Sequence, residues 1–431
     1  MKILVVGSGA REHALAATLA AEPGVTRVVV APGNAGIAAR LPTAGLDPAD
    51  PRAILDLATQ LGADLTVIGP EAPLAAGVAD LFAAAGRPLF GPTRAAAALE
   101  TSKAFAKAFM ARHGVPTARY RVAASAADAV AAVRSGALGD AVVVKADGLA
   151  AGKGVVVAED RDEAEQAIRA AMVDRAFGDA GAQLVLEERL SGPEVSFFVL
   201  ADGERFVPLQ SAQDHKRIFD GDEGPNTGGM GAFSPSPLMD ARLTGEVTDR
   251  IVRPVLRGMA AEGAPFRGFL YCGLMLTAEG PKVIEFNVRF GDPEAQVVLP
   301  RVAEPLAPLL LAAATGALRE APCAFAPEPR VGIVLAARGY PGAVEKGRAI
   351  TGLDRVEAEC PDVTIFHAGV AAGAGGLVTA GGRVLTVVGR GPGYAEALAR
   401  AYDAVARIHF DGMQYRTDIG QKALAAGPGR G

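Results

Sequence analysis

The chain has 431 residues, too many for one ordinary hydrophobic core, and this length suggests about three domains. A formal net charge of −5 gives the protein no general attraction to nucleic acid or to an anionic membrane, so any anion it binds must be held by local groups. The sequence has no strongly apolar run long enough to span a membrane, no export signal, and three widely spaced cysteines without a metal or disulfide pattern. These properties favour a cytoplasmic protein that binds small molecules.

The first hundred residues alternate apolar runs with helix-like segments. The runs KILVV, RVVVA, DLTVIG and PLFG are typical of buried strands, and all but the last are followed by helical or turn-rich sequence. This alternation predicts parallel β-α-β units in an N-terminal α/β domain. After Thr93, an alanine-rich segment that ends at Gly114 predicts one helix, and we place the first domain boundary close to it.

The first glycine turn, in GSGAREHA, resembles a dinucleotide-binding fingerprint but fails two tests. Glu12 occupies the position of the third glycine, and the second strand ends at Ala31-Pro32, where a nicotinamide-binding unit carries an acid. A strand-to-helix turn still presents N–H groups and a positive helix end to a phosphate, and Arg11 favours a phosphorylated substrate. A turn of purely structural value is the alternative.

A second glycine-rich segment, VVVKADGLAAGKGVVVA, spans residues 142–158 and predicts a hairpin whose tip folds over phosphates. Glycines let backbone N–H groups approach an anion, and Lys145 and Lys153 balance its charge. The segment is not a Walker A loop, because only three residues separate Gly148 from Gly152 and no Ser or Thr follows the second lysine. A solvated hairpin turn is the alternative.

Two longer hairpins follow, with a turn-rich segment between them. The first turns at Asp202-Gly203, and the second includes FLYCGLMLTAEGPKVIEFNVRFGDPE. The intervening QDHKRIFDGDEGPNTGGMGAFSPSP mixes charge with glycine over a length that is unusual for a connection in a compact domain. We therefore predict a functional loop there, in which His215 could contact substrate.

The strand VIEFNVRF predicts one apolar and one chemical face. Side chains alternate across a strand, so Glu285, Asn287 and Arg289 share one face while Ile284, Phe286 and Val288 share the other. Oxygen ligands of this kind suit Mg²⁺, which keeps several waters and bridges nucleotide phosphates. An ordinary half-exposed strand is the alternative.

After residues 327–329 the pattern changes again. RVGIVLAARGYPG, TIFHAGV and GRVLTVVGRG predict strands, AAGAGG predicts a glycine-rich connector, and one helix follows late in the chain. These elements predict a small C-terminal α+β domain that ends in a frayed AAGPGRG.

Taken in order, the motifs of nearly the whole chain resemble the phosphoribosylamine-glycine ligase family of the ATP-grasp superfamily. They are GSGAREHA, APGNAG, GPEAPL, SKAFAKAFMARHGVPTA, KADGLAAGKGV, QDHKR, GPNTGGMGA, GFLYCGLM, VIEFNVRFGDPE and FHAG. GPNTGGMGA and FNVRFGDPE are specific to the ligase among ATP-grasp enzymes. Two small departures, Ala10 for a usual glycine and Val288 for a common cysteine, remove no polar group.

The resemblance implies an ATP-grasp fold built from α/β and α+β domains. Residues 1–100 would form an N-terminal Rossmann-like domain, 101–120 and 191–325 the central ATP-grasp domain, 121–190 its lid, and 326–425 the C-terminal α+β domain. The implied enzyme joins glycine to 5-phosphoribosylamine through glycyl phosphate, giving glycinamide ribonucleotide, ADP and phosphate, in the second step of purine synthesis. ATP would be the co-substrate, with Mg²⁺ or Mn²⁺, and the protein would be a monomer.

The resemblance also implies roles for individual residues. Those expected to hold ATP are Lys103, Lys145, Gly148, Gly152, Lys153, Gly154, Glu187, Glu188 and Glu194. Those expected to hold the metal are Glu285 and Asn287, and those expected to act in catalysis are Arg289, Lys153, Asp214 and Lys216. Those expected to bind the other substrates are Gly9, Arg11, Glu12, Gly33, Asn34, Glu71, Asn226, Thr227, Gly228, Gly229, Met230, Arg289 and Asp292.

Two other functions stay open at the level of sequence. An ATP-dependent carboxylase acting on aminoimidazole ribonucleotide would share the phosphate-binding lysines and the metal strand, and bicarbonate dependence would distinguish it. A nucleotide sensor that binds ATP without turnover would form no ADP.

Overall fold

A computed structural model describes residues 1–149 and 154–425. The first hundred residues form a sheet of four parallel strands in the order β2-β1-β3-β4, with helices in the connections. The elements are β1 (Lys2–Gly7), α1 (Ala10–Ala20), β2 (Arg27–Pro32), α2 (Ala35–Ala38), α3 (Pro51–Leu61), β3 (Leu65–Ile68), α4 (Glu71–Ala75), α5 (Val78–Ala84) and β4 (Leu89–Phe90). The predicted β-α-β units are confirmed, and the turns after β1, β2 and β3 meet at the carboxyl edge of the sheet.

The helix predicted after Thr93 is two helices, so that prediction is wrong. They are α6 (Arg94–Thr101) and α7 (Lys103–Arg112). Ser102 between them has extended backbone angles, and its hydroxyl accepts a hydrogen bond from the Phe105 N–H at 3.0 Å. A serine competes well for such a cap because its side chain replaces a missing backbone partner, and this places Lys103 at the start of a new helix.

The next segment is a small antiparallel sheet in the order β5-β8-β6-β7, backed by two helices. Its elements are β5 (Tyr120–Ala123), α8 (Ala126–Arg134), β6 (Val142–Ala146), β7 (Val155–Ala158), α9 (Arg161–Ile168) and β8 (Leu184–Glu188). The glycine-rich segment connects β6 to β7, as the hairpin prediction requires.

A four-stranded antiparallel sheet in the order β10-β9-β15-β16 carries the two longer hairpins. The elements from here to residue 314 are β9 (Glu194–Asp202), β10 (Arg205–Pro208), β11 (Gln213–Asp214), β12 (Arg217–Phe219), β13 (Glu223–Asn226), β14 (Gly231–Ser234), α10 (Ala241–Val247), α11 (Arg253–Ala261), β15 (Arg267–Thr277), β16 (Gly280–Asn287), α12 (Glu294–Val298) and α13 (Leu306–Ala314). The turn-rich segment is therefore more regular than predicted, because it contains four short strands.

The C-terminal residues add β17 (Arg330–Ala336), α14 (Leu353–Glu359), β18 (Val363–His367), β19 (Val370–Gly373), β20 (Gly376–Thr379), β21 (Arg383–Arg390), α15 (Tyr394–Val405) and α16 (Gln421–Ala425). Their main sheet has the order β11-β14-β17-β21-β18, so two strands of the turn-rich segment belong to it. The prediction that AAGAGG is an irregular connector is wrong, because this segment belongs to the hairpin formed by β19 and β20. No helix in the described parts of the chain is long and apolar enough to cross a membrane.

Candidate active site

Two of the predicted lysines join the small sheet to the rest of the protein. Lys103 donates to the carbonyl of Gly148, at 3.0 Å. Lys145, buried near the end of β6, lies 2.8 Å from Glu187 Oε1 and donates to the carbonyl of Ile284 at 2.9 Å. Ile284 is the extra residue of a bulge in β16, which departs from the predicted strict alternation and leaves its carbonyl outside the ladder. Both lysines thus face the space between β6 and β16.

Glu187 and Glu188, both expected to hold nucleotide, point to opposite faces of β8. Glu187 is buried between Lys145 and Lys107, whose Nζ lies 2.8 Å from its Oε2. Glu188 instead accepts hydrogen bonds from the backbone and side chain of Arg119. Alternation along a strand allows only one of two consecutive side chains to face the lysines.

Lys107 is a buried residue of this cluster that the sequence analysis missed. Its ammonium also donates to the Thr117 hydroxyl at 2.7 Å, and burial lowers its pKa to about 8 despite the neighbouring Glu187. It lies four positions after Lys103, so both project from one face of α7. That spacing is the signal that could have identified it.

Lys216 connects two of the predicted carboxylates. Its Nζ lies 3.2 Å from Glu194 Oε2 and 3.5 Å from Glu285 Oε1. Burial opposes the charge on Glu285, but Lys216, Lys145 and further cations lower its pKa to about 2. Glu285 is therefore ionised at neutral pH and available to a cation.

Asp214 lies at the same site, but its pKa is shifted in the opposite direction to that of Glu285. It is the last residue of β11, and burial raises its pKa to about 7, with Glu294 and Glu194 adding to the shift and Lys216 opposing it. A carboxyl group that titrates near neutral pH within a cluster of charges is typical of functional sites.

Arg289 lies just beyond the end of β16 and is held from two sides. Its Nε is 3.3 Å from Glu71 Oε2 and its Nη2 is 2.9 Å from Glu100 Oε1. Burial opposes its charge, yet Glu100 and Glu71 raise its pKa above the usual range. Glu100, which also accepts from the Val288 N–H at 2.7 Å, was missed by the sequence analysis although it precedes the SKAF motif. Arg289 thus connects the end of β16 to the N-terminal domain.

The chemical face of β16 fits a divalent cation bound together with phosphate. Phe286 and Val288 are buried while Glu285 and Asn287 are partly exposed, so the predicted alternation is confirmed beyond the bulge. Within residues 1–149 and 154–425, no group of three or more His, Cys, Asp or Glu side chains is placed to hold a metal ion by itself. Two oxygen ligands suffice for Mg²⁺ when phosphate oxygens and water complete its shell.

The residues predicted from the first glycine turn gather at the carboxyl edge of the N-terminal sheet. Glu12 is buried, accepting from the Gly9 N–H at 2.7 Å and pairing through its other oxygen with Arg11 Nε at 2.7 Å. Arg11 Nη1 donates to the carbonyl of Phe290 at 3.4 Å. A Cβ on Gly9 would lie 3.7 Å from Asp292 Oδ2, so this turn contacts the GDPE segment directly.

Asn34 serves the fold in this structure. Its Oδ1 caps the Ile37 N–H at 2.9 Å, while its Nδ2 donates to the carbonyls of Ser8 at 2.8 Å and His367 at 3.0 Å. Gly33, immediately before it, has φ +68°, a left-handed conformation that favours glycine. These contacts attach the second loop to the first loop and to the C-terminal domain.

The predicted substrate segment 226–230 is a tight loop next to Lys216. The Thr227 hydroxyl donates to the Lys216 carbonyl at 2.8 Å and accepts from the Gly229 N–H at 2.9 Å. The Met230 side chain is buried, which directs it into the interior rather than toward a ligand, and Asn226 pairs with Arg217 in the β12–β13 ladder. Backbone groups of the loop are therefore its available ligands.

Four further residues were predicted to act at the site. Gly152 and Lys153 fall outside the described residues, whereas the Gly154 carbonyl accepts from the Ala146 N–H at 2.8 Å at the base of the hairpin. His215 is buried, and burial lowers its pKa to about 4. A neutral buried ring directed at the interior does not suit the predicted substrate contact.

The fold is shared with solved structures that include nucleotide complexes. The biotin carboxylase domain of the Hydrogenobacter thermophilus 2-oxoglutarate carboxylase, determined with MgADP, ADP and bicarbonate, superposes with a TM-score of 0.70 at 19% identity, over 96% of this chain and 91% of that one. The fold and the lysine–carboxylate site define the class as ATP-grasp.

The family follows from closer matches. Residues 1–100, 101–295 and 330–422 match the N, ATP-grasp and C domains of phosphoribosylglycinamide synthetase. A Streptomyces coelicolor phosphoribosylamine–glycine ligase is 52% identical over 99% of this chain and 100% of its own length. The Thermotoga maritima phosphoribosylamine–glycine ligase superposes with a TM-score of 0.85 at 34% identity, over 97% of this chain and 100% of that one. The chain belongs to the phosphoribosylglycinamide synthetase family, and the resemblance found in its sequence is confirmed.

Proposed function

We propose that this protein is the ATP-dependent ligase that joins glycine to 5-phosphoribosylamine, forming glycinamide ribonucleotide, ADP and phosphate. One observation carries the proposal beyond family membership. Arg289 contacts Glu71, the first residue of α4 in the N-terminal domain, and its charge helps to lower the pKa of Glu285, so a phosphorylated sugar and a nucleoside triphosphate would meet at this guanidinium.

ATP is assigned to the space between β6, β8 and β16. Lys103, Lys145 and Lys153 would contact its phosphates, together with Gly148, Gly152 and Gly154 of the glycine-rich segment. Glu187 pairs with Lys145 and Lys107. The β8 strand that carries Glu187 and Glu188 would line the adenine, and Glu194 would accept hydrogen bonds from the ribose hydroxyls. A magnesium ion held by Glu285 and Asn287 would neutralise phosphate charge. The same two ligands would also accept Mn²⁺.

The remaining residues would position the reacting groups. A glycine carboxylate oxygen attacks the γ-phosphorus and ADP leaves; the amine nitrogen of phosphoribosylamine then attacks the resulting acyl carbon, loses a proton, and phosphate leaves. Arg289 and Lys216 stabilise charge on the transferring phosphoryl group, and ionised Asp214 accepts the proton or orients the amine. Gly9, Arg11 and Glu71 would hold the phosphoribosyl end.

The decisive test measures ADP release by the purified protein with ATP, Mg²⁺ and glycine, with and without phosphoribosylamine generated in the assay. We expect release to require both substrates and glycinamide ribonucleotide to appear by mass spectrometry. Release that persists with bicarbonate and aminoimidazole ribonucleotide instead would indicate the carboxylase, and no ADP under either condition would indicate a nucleotide sensor.

We also propose that the protein works as a cytoplasmic monomer with the domain division given above. Reduced cysteines support the compartment, since Cys272, Cys323 and Cys360 are all unpaired thiols. The biotin carboxylase domain named above is described as a dimer, so light scattering at several concentrations is the test of the monomer.

A further inference from the structure

The C-terminal domain reaches the active site through one arginine that no motif predicted. Arg383, the first residue of β21, donates through Nη1 to the carbonyls of Gly228 and Asp292, the latter at 2.6 Å. Its Nη2 lies 3.0 Å from Asp292 Oδ2. One guanidinium therefore binds both the 226–230 loop and the carboxylate of the GDPE segment.

A second side chain of the same domain binds the backbone N–H of Gly228. The Tyr340 hydroxyl accepts from the Gly228 N–H at 2.9 Å. Gly228 thus has its N–H and its carbonyl bound by side chains more than a hundred residues away in sequence. Two fixed hydrogen bonds at one residue determine where the neighbouring peptide groups point.

The loop and the GDPE segment are also in direct contact. Gly229 has φ +110°, and a Cβ there would lie 2.4 Å from Pro293 Cδ, so the backbone approaches the turn as closely as glycine permits. Burial opposes the charge on Asp292, but Arg383 and Arg11 lower its pKa. Its Oδ1 accepts from Gln296 Nε2 at 2.7 Å, which leaves little freedom to the carboxylate.

We propose that Arg383 is a positioning residue for the substrates that accept the phosphoryl group and the acyl group. It sets the separation between the 228–229 peptides and the Asp292 carboxylate, and thereby the shape of the site on the side away from ATP. The inference rests on the proposed function, because it assigns this side to glycine and phosphoribosylamine. A planar guanidinium suits the task, since it can donate to several acceptors in fixed directions.

The test compares Arg383→Ala, Arg383→Lys and Tyr340→Phe in steady-state kinetics, varying each substrate in turn. Arg390→Ala is the matched control, because Arg390 ends the same strand in an exposed pair with Asp362. We expect Arg383→Ala to lower kcat/KM for glycine on the order of tenfold to a hundredfold while the KM for ATP changes little, as misplacement of reacting groups predicts. Tyr340→Phe should give the same pattern more weakly, and Arg390→Ala should give neither change.

Rescue separates positioning from folding. Millimolar guanidinium added to Arg383→Ala should restore part of the glycine kcat/KM, and Arg383→Lys should be intermediate. A KM for ATP that rises as much as the KM for glycine, or a loss without rescue while Tyr340→Phe behaves as the wild type, would overturn the inference. Product formation by the unchanged protein tests the ligase assignment separately, and its absence would overturn both proposals.

Discussion

Lys216 and Glu285 are two half-buried charges of the site, and each stabilises the ionised form of the other. Burial opposes charge on Lys216, yet Glu194 and Glu285 raise its pKa well above the usual range, while the pKa of Glu285 is lowered. Such mutual stabilisation holds a full negative charge where a cation is expected and a full positive charge beside the expected phosphates.

Glu285→Gln tests the carboxylate without changing its shape. We expect turnover to fall on the order of a hundredfold or more at saturating magnesium, comparable to losing a main electrostatic stabiliser. The control is Glu279→Gln, on the same hairpin but exposed and paired with Lys282. Near-normal turnover of Glu285→Gln would remove it from the proposed metal site.

Asp214 predicts a pH dependence near neutrality. Its pKa is raised to about 7, so the group is protonated below that pH and ionised above it. Because the ionised form is the one proposed to accept from the amine, kcat/KM should rise as pH increases through about 7. Asp214→Asn should flatten that rise, and a profile unchanged by the substitution would contradict the role.

At the scale of elements, the break between α6 and α7 places Lys103 in the site. The Ser102 hydroxyl caps α7 and donates to Asp147 Oδ2 at 3.2 Å, and Asp147 Oδ1 accepts from the Ala104 N–H at 3.2 Å. The start of α7 is thereby bound to the small sheet that carries Lys145. A continuous helix would lack this connection.

Ser102→Ala should separate capping from positioning. Loss of an N-cap costs about 1 kcal/mol of unfolding free energy, and the same cost is expected for Ser125→Ala at the start of α8. Of the two variants, we expect only Ser102→Ala to raise the KM for ATP as well. The reason is that the Ser102 hydroxyl, unlike that of Ser125, binds Asp147 and so helps to hold Lys103 next to the small sheet. Equal ATP kinetics in the two variants would mean that the break is structural.

At the scale of the whole molecule, a pair of histidines joins the N-terminal domain to the C-terminal domain. The His367 N–H donates to His13 Nδ1 at 2.9 Å, and the rings stack at 5.3 Å. Burial, with His367 and Arg40 adding to it, lowers the pKa of His13 to about 3; burial also lowers that of His367 to about 4. Both rings are therefore neutral in the folded protein at pH 5.

Acid should destabilise this junction. Below pH 6.5 the histidines of the unfolded chain take up protons that the folded rings do not. The free energy of unfolding therefore decreases as the pH is lowered, by roughly 2 kcal/mol per histidine at pH 5. Urea unfolding at pH 7.5 and 5.0 should show a smaller difference for His13→Asn than for the unchanged protein. His409→Asn, at an exposed position, is the control. An equal difference in all three proteins would contradict the assignment.

Local patterns were enough for the features that depend on neighbouring residues. Apolar periodicity and contiguous motifs were sufficient to predict four features. They are the β-α-β units, the glycine-rich hairpin, the strand with Glu285 and Asn287, and the family. The predictions failed where competition between conformations was decided by a single side chain, as at Ser102, or by pairing, as in the β19–β20 hairpin.

The sequence by itself determined the domain types and the family, and it predicted most of the charged residues proposed for the site. Only the tertiary structure decided which charges meet: Lys107 with Glu187, Glu100 with Arg289, and Arg383 with Asp292. These partners lie from 80 to almost 200 residues apart, and no local pattern encodes such a distance. The shared sheet of β14 and β17 has the same origin, since strand pairing over that separation is selected by the burial of whole faces.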